Sequence, residues 1–291
     1  MSRDYQARHS KDDTQQGSGQ TAPGRKKGRA LSNALLVIGI ALLVVAAVLI
    51  GPKLFDYVKA DRIYAEVSDH ATMTSDDTLD VDWASLRAVN PDIVAWVKIP
   101  DTAIDYPVVQ ATDNDYYLHH AFNRDTSSSG CPFLDAGNSS DLLDNNSFIY
   151  GHNMRNGSMF HDLSKFTDND YFSSHPYVYI ATPDGGTKRY RCVGSLLIHG
   201  DEQVCQLQFN SKADYQSYLA GLLDRCETMA PGVSASAVTR TVVLSTCSYQ
   251  FDDARTLVIC VEVDGNGAFV DYPMRSPASA APSGTAAQPA T

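Results

Sequence analysis

The chain has 291 residues, 43% of them hydrophobic, with 34 acidic and 23 basic residues and a formal net charge of −11. That apolar content supports a sizeable folded core, and the acidic balance argues against nucleic-acid binding, which needs clustered positive charge. The imbalance is uneven: residues 1–50 hold seven basic and three acidic residues, the remainder 16 basic and 31 acidic.

Residues 1–30 contain almost no large aliphatic side chain and read as a disordered cytoplasmic leader. Residues 31–50 then run without a charge. Twenty residues at about 1.5 Å each match the roughly 30 Å hydrocarbon core of a bilayer. A cleaved signal peptide is the competing reading, but its apolar region is usually about 7–15 residues long. The stretch therefore reads as a single-pass transmembrane anchor. Arg25, Lys26, Lys27 and Arg29 precede it, which predicts a cytoplasmic N-terminus and everything downstream outside the membrane. Residues 51–81 read as a juxtamembrane helix, apolar at Leu54, Tyr57, Val58 and Ile63, followed by a polar linker.

Residues 82–273 read as one folded domain. Asp82 is a candidate cap for a short helix over 83–90, which stops before Pro91. Eight short strands are predicted, at 93–99, 103–110, 131–135, 147–151, 177–182, 188–200, 241–247 and 255–263. This is a mainly β pattern, suggesting a barrel or a sandwich. Helical interruptions are predicted at 158–166 and, more clearly, at 211–230. There Tyr215, Tyr218, Leu219 and Leu222 form an apolar stripe and Ser211 is a plausible N-cap. Residues 274–291 read as a low-complexity disordered tail.

The candidate chemistry lies in RTVVLSTCSYQFDDARTLVICVEV, residues 240–263. Cys247 ends one apolar run, Arg255 opens the next, and seven residues separate them. If those seven connect adjacent antiparallel strands, both side chains sit at the same end of the sheet. A working thiol needs a base, because the thiolate is the nucleophile. Of eight histidines, His152 stands out, just past the apolar run SFIY and a glycine. Bland alternatives exist for each: a buried structural cysteine, a loop histidine, and a surface arginine paired with Asp252 or Asp253. The six cysteines include no CxxC pair and match no zinc spacing. With Cys247 reserved as a thiol, at most two disulfides can form. No metal and no cofactor are expected.

IYGHNM, LSTC and an arginine opening the next strand, in that order and behind an N-terminal anchor, resemble the sortases, membrane-anchored cysteine transpeptidases of mainly Gram-positive bacteria. AWVKIPDTAIDYPVVQATDNDYYLHHAF, GHNMRNGSMFHDL and the long helix before the last two strands resemble class B. The resemblance covers roughly residues 82–263. It implies an eight-stranded closed β-barrel with accessory N-terminal helices, and His152, Cys247 and Arg255 converging at one barrel mouth. It implies that Cys247 attacks a threonine carbonyl in the C-terminal sorting signal of a surface protein, forming a thioacyl enzyme. His152 would serve the departing and incoming amines, and Arg255 would hold the substrate backbone and oxyanion. Ser245 and Thr246 would bind substrate, with Ser245 on the Cys247 face by strand alternation. The implied acceptor is a peptidoglycan amine, with a pilin lysine or water as alternatives. The implied location is the cell membrane, with the catalytic domain extracellular. Two departures stand out: Ala136 and Gly137 occupy a segment where class B relatives often carry arginine, and Cys131 stands where a small polar residue is more usual.

Overall fold

The computed structural model describes residues 24–248 and 253–275. The predicted leader up to residue 23, and the predicted tail from residue 276, lie outside them. The chain divides into two compact units, residues 1–53 and 54–291. Helix α1 (Gly24–Ser68) starts inside the stretch read as leader and contains Pro52. In the first unit Leu36, Leu43 and Leu49 of this helix are exposed. The helix is long and apolar enough to cross a membrane.

In the second unit, the stretch read as linker is a hairpin. Strands β1 (Ala71–Met73) and β2 (Leu79–Val81) pair antiparallel, Ala71 opposite Val81. The turn is tied by Thr74 O accepting from Asp77 N, at 3.3 Å, with Asp77 at φ 61°. Polar residues fill the turn, while Leu79 and Val81 alternate into the core. Three-residue strands are too short to show a period in the sequence. Helix α2 (Trp83–Val89) follows, its N-terminus capped by Asp82, which accepts from Ser85 N.

The eight barrel strands fall where alternating or continuous β-branched and aromatic runs predict them. They are β3 (Ile93–Lys98), β4 (Asp105–Val109), β5 (Phe133–Leu134), β6 (Asn146–Tyr150), β7 (Tyr177–Thr182), β8 (Gly186–His199), β10 (Thr241–Ser248) and β11 (Ala254–Val263). They are ordered β11-β10-β6-β5-β4-β3-β7-β8, and β11 pairs with β8 to close the ring. A short ninth strand, β9 (Thr228–Met229), is appended to β8. That pairing shortens the long predicted helix. Helix α4 (Lys212–Leu223), capped by Ser211, stops well before Pro231, because the segment after it bonds to β8: Glu227 N to Ser195 O and Ala230 N to Val193 O. The predicted helical segment at 158–166 is a 3₁₀ stretch, His161–Thr167, continued by α3 (Asn169–Ser174).

Three apolar clusters organise the unit. Alternate residues such as Val97, Val108, Ile149, Leu244 and Val258 fill the barrel, with Phe160, Leu163 and Phe166 packed among them. Outside the barrel, Trp96, Tyr106 and Phe133 pack with Tyr64 and Val67 of α1. On another outer face, Val243, Leu257 and Ile259 pack beneath Tyr215 and Leu219 of α4.

Candidate active site

Strands β10 and β11 are antiparallel, with Cys247 directly opposite Arg255 and Ser245 opposite Leu257. Directly opposed residues share a face, with Cβ atoms about 4.5–5.5 Å apart. Val242 and Leu244 belong to the barrel filling and Val243 to the outer cluster. Alternation therefore puts Ser245, Cys247 and Arg255 on the outer face. The site is thus a cleft on the outside of the wall near the strand ends, rather than an opening into the barrel. A cavity of ≈ 280 Å³ there is lined by Tyr150, Ile198, Ser245, Arg255 and Leu257, with Val204 and Cys205 of the β8–α4 connection on its rim. Cys247 is exposed. The Nε of Arg255 is buried and has no hydrogen-bond partner.

His152 follows β6, which lies parallel to β10. Backbone and side-chain bonds staple the two segments. Gly151 N donates to Ser245 O at 3.0 Å, and Thr246 Oγ1 donates to Gly151 O at 2.7 Å. Gly151 has no room for a side chain: a Cβ would lie 2.7 Å from the Phe160 ring. Asn153 Nδ2 donates to Cys247 O at 2.9 Å, and its Oδ1 accepts from His161 Nδ1 at 2.7 Å. His152 and Cys247 are therefore tied together through the residue after the histidine. Leu118 O accepts from His152 Nε2 at 2.8 Å. A carbonyl only accepts, so Nε2 carries the proton and Nδ1 is the basic nitrogen of the neutral ring.

The structure thus brings His152, Cys247, Arg255 and Ser245 to one end of β10. Thr246 faces the other way. It is 2% exposed and its hydroxyl serves Gly151 O, so its side chain does not line the cleft. Sequence reasoning missed Asn153 and Leu118. Only Asn153 left a signal, as the amide adjoining the histidine in GHNM.

All six cysteines are free, so none of the bridges the count allows is formed. Cys192 and Cys260 face one another inside the barrel. Cys205 is exposed as a residue, but its sulfur packs against Tyr150 and Asp135. That burial pushes the thiol up to about 12. Among the described residues, no group of His, Cys, Asp and Glu is placed to hold a metal ion.

An exposed cysteine opposite an arginine, with a histidine loop bonded to the same strand, therefore sits on the outer wall of an eight-stranded barrel. A model of the sortase domain matches residues 97–263. Sortase B of Listeria monocytogenes is 34% identical over 196 residues, 66% of this chain and 77% of that protein. The crystal structure of Clostridium perfringens sortase B superposes with a TM-score of 0.58 at 34% identity, covering 62% of this chain and 99% of that one. Sortase B from B. anthracis in complex with AAEK1 gives a TM-score of 0.63 at 28% identity, over 72% and 99%. The chain belongs to the sortase family, and its relatives place it in class B, cysteine transpeptidases that anchor proteins to the cell wall.

Proposed function

We propose that the chain cleaves a C-terminal sorting signal of surface proteins after threonine and joins the new carboxyl end to a peptidoglycan amine. Cys247 Sγ attacks the threonine carbonyl carbon. The thiol proton passes through His152 Nδ1 to the departing amine as the peptide C–N bond breaks, leaving a thioester. The incoming amine then loses a proton to the imidazole and displaces the thiolate. Arg255 donates to the substrate backbone and to the oxygen that becomes anionic. Ser245 lines the pocket for the signal residues. Thr246 is a positioning residue that holds Gly151, and so the start of the His152 loop, against β10.

The observation that carries this reading is the direct opposition of Cys247 and Arg255, with the His152 loop bonded to both Ser245 and Cys247. The apolar helix supports a single-pass anchor, and the basic residues before it support a cytoplasmic N-terminus with the catalytic domain outside. The test is mass spectrometry of the protein incubated with a sorting-peptide library. An acyl adduct on Cys247 is expected, and an added amine should convert it to the aminolysis product. An adduct resolved only by water would assign a hydrolytic peptidase instead.

A further inference from the structure

One face of the juxtamembrane part of α1 grips the loop on which the His152 imidazole rests. Asp56, Lys59 and Tyr64 each reach that loop. Asp56 Oδ2 accepts from Ser128 N at 3.0 Å and from Ser128 Oγ. Lys59 pairs with Asp125 at 3.0 Å. Tyr64 is buried, meets Tyr106 edge-on at 5.4 Å, and donates its hydroxyl hydrogen to Gly130 O.

The same loop touches the histidine on its other side. Gly130 has φ +58°, and a Cβ there would lie 3.0 Å from His152 Cδ2 and 2.5 Å from Tyr117 O. Cys131 N donates to Tyr117 O at 3.0 Å, which fixes Gly130 beside Leu118. Leu118 supplies the carbonyl that accepts from His152 Nε2. The route from helix to imidazole is therefore Tyr64, Gly130, then the ring and the Leu118 carbonyl that accepts from it.

We propose that residues 54–68 belong to the catalytic scaffold, with Tyr64 a positioning residue that sets the tautomer and orientation of His152 through Gly130 and Leu118. This rests on the proposed role of His152. If the shelf moves, the Nε2–H bond to Leu118 weakens and the proton is free to sit on Nδ1, the nitrogen needed as base. Tyr64 touches no substrate and acts only through the histidine.

The test uses the full chain in detergent, with ¹⁵N-labelled histidine and His152→Ala to assign the His152 resonances. Wild-type protein is expected to show the Nε2–H tautomer at His152. Tyr64→Phe, which keeps the ring against Tyr106, should mix in the Nδ1–H form. It should also lower kcat about 3–10-fold at unchanged KM and displace the pH profile of kcat. Gly130→Ala should do the same more strongly. Asp56→Asn combined with Lys59→Met is the milder second route if Gly130→Ala does not fold. Unaltered His152 resonances and kcat in Tyr64→Phe would overturn the proposal, and so would a lowered melting temperature with those two readouts unchanged. Failure of wild-type protein to acylate Cys247 would sink the transpeptidase reading separately, while the imidazole spectrum would still decide the positioning role.

Discussion

Cys247 and Arg255 occupy directly opposed positions across β10 and β11, and the Arg255 Nε is buried there without a hydrogen-bond partner. Buried donors in native proteins are nearly always paired, so an orphaned N–H on the position opposite an exposed thiol supports the role proposed for Arg255 toward a substrate oxygen. Replacing Arg255 by alanine should lower kcat/KM by about 10²–10³, the loss typical of one oxyanion donor. Arg255→Lys should recover little, since a point ammonium does not reproduce the planar fork. Peptide-cleavage kinetics check this. Activity of Arg255→Ala within about threefold of wild type would assign the guanidinium a structural role only.

The thiols differ in what they can react with. Cys247 is exposed. Cys205 shares the cleft rim, but burial of its sulfur against Tyr150 and Asp135 pushes it up to about 12. Cys131, Cys192 and Cys260 are buried. Limited alkylation near pH 8, mapped by mass spectrometry, should therefore label Cys247 first and leave the three buried thiols unlabelled until denaturant is added. Cys247→Ala and His152→Ala should each abolish turnover with the melting temperature near that of wild type. Retained turnover in either purified variant would refute the assigned chemistry.

Asn153 joins the two halves of the site, donating to Cys247 O and accepting from His161 Nδ1. Asn153→Ala removes both bonds. It should cost about 1–2 kcal/mol of stability, the scale of two net hydrogen bonds. It should also lower kcat more than it raises KM, because the thiol is displaced relative to the imidazole. Asn153→Asp keeps the acceptor and loses the donor, so it should restore the bond to His161 without restoring the rate. A full rate in the aspartate variant would show that the bond to Cys247 O does not matter.

The strands that form this site were readable because each is an apolar run ended by a turn. The Cys247–Arg255 relationship was readable because only a short connection lies between them. The parallel pairing of β10 with β6 joins segments far apart in sequence, and the β8–β11 closure likewise leaves no local pattern. The support of His152 comes from a backbone carbonyl 34 residues upstream and from a glycine that matters for what it lacks. Neither is visible as a side-chain motif. The hairpin β1–β2 was hidden in a polar stretch, since Leu79 and Val81 alone carry its buried face. The helix over 211–230 was overextended because its apolar stripe runs on into residues that pair with β8 instead.

Acid should loosen the domain first where a buried carboxylate holds a turn. Asp162 Oδ2 accepts from Ala103 N at 2.8 Å and Oδ1 pairs with Lys165 at 2.7 Å, with the residue 7% exposed. Burial pushes its carboxyl up, but the Lys165 ammonium and the Ala103 N–H together outweigh that and hold it below the ordinary carboxylate value. A folded-state pKa below the unfolded one means the unfolded chain binds more protons between the two. The stabilisation is then fully present above the unfolded value, about 3.9, and is lost as pH falls through the folded value. Asp162→Asn should therefore destabilise the domain at pH 7 by about 1.5–3 kcal/mol, the range for hydrogen bonds to a charged group. The gap to wild type should narrow as pH drops from 4 toward 2. Urea midpoints of the two proteins across that range measure it. A gap that stays constant down to pH 2 would show that the carboxylate charge contributes nothing to holding the β3–β4 turn against the 3₁₀ stretch.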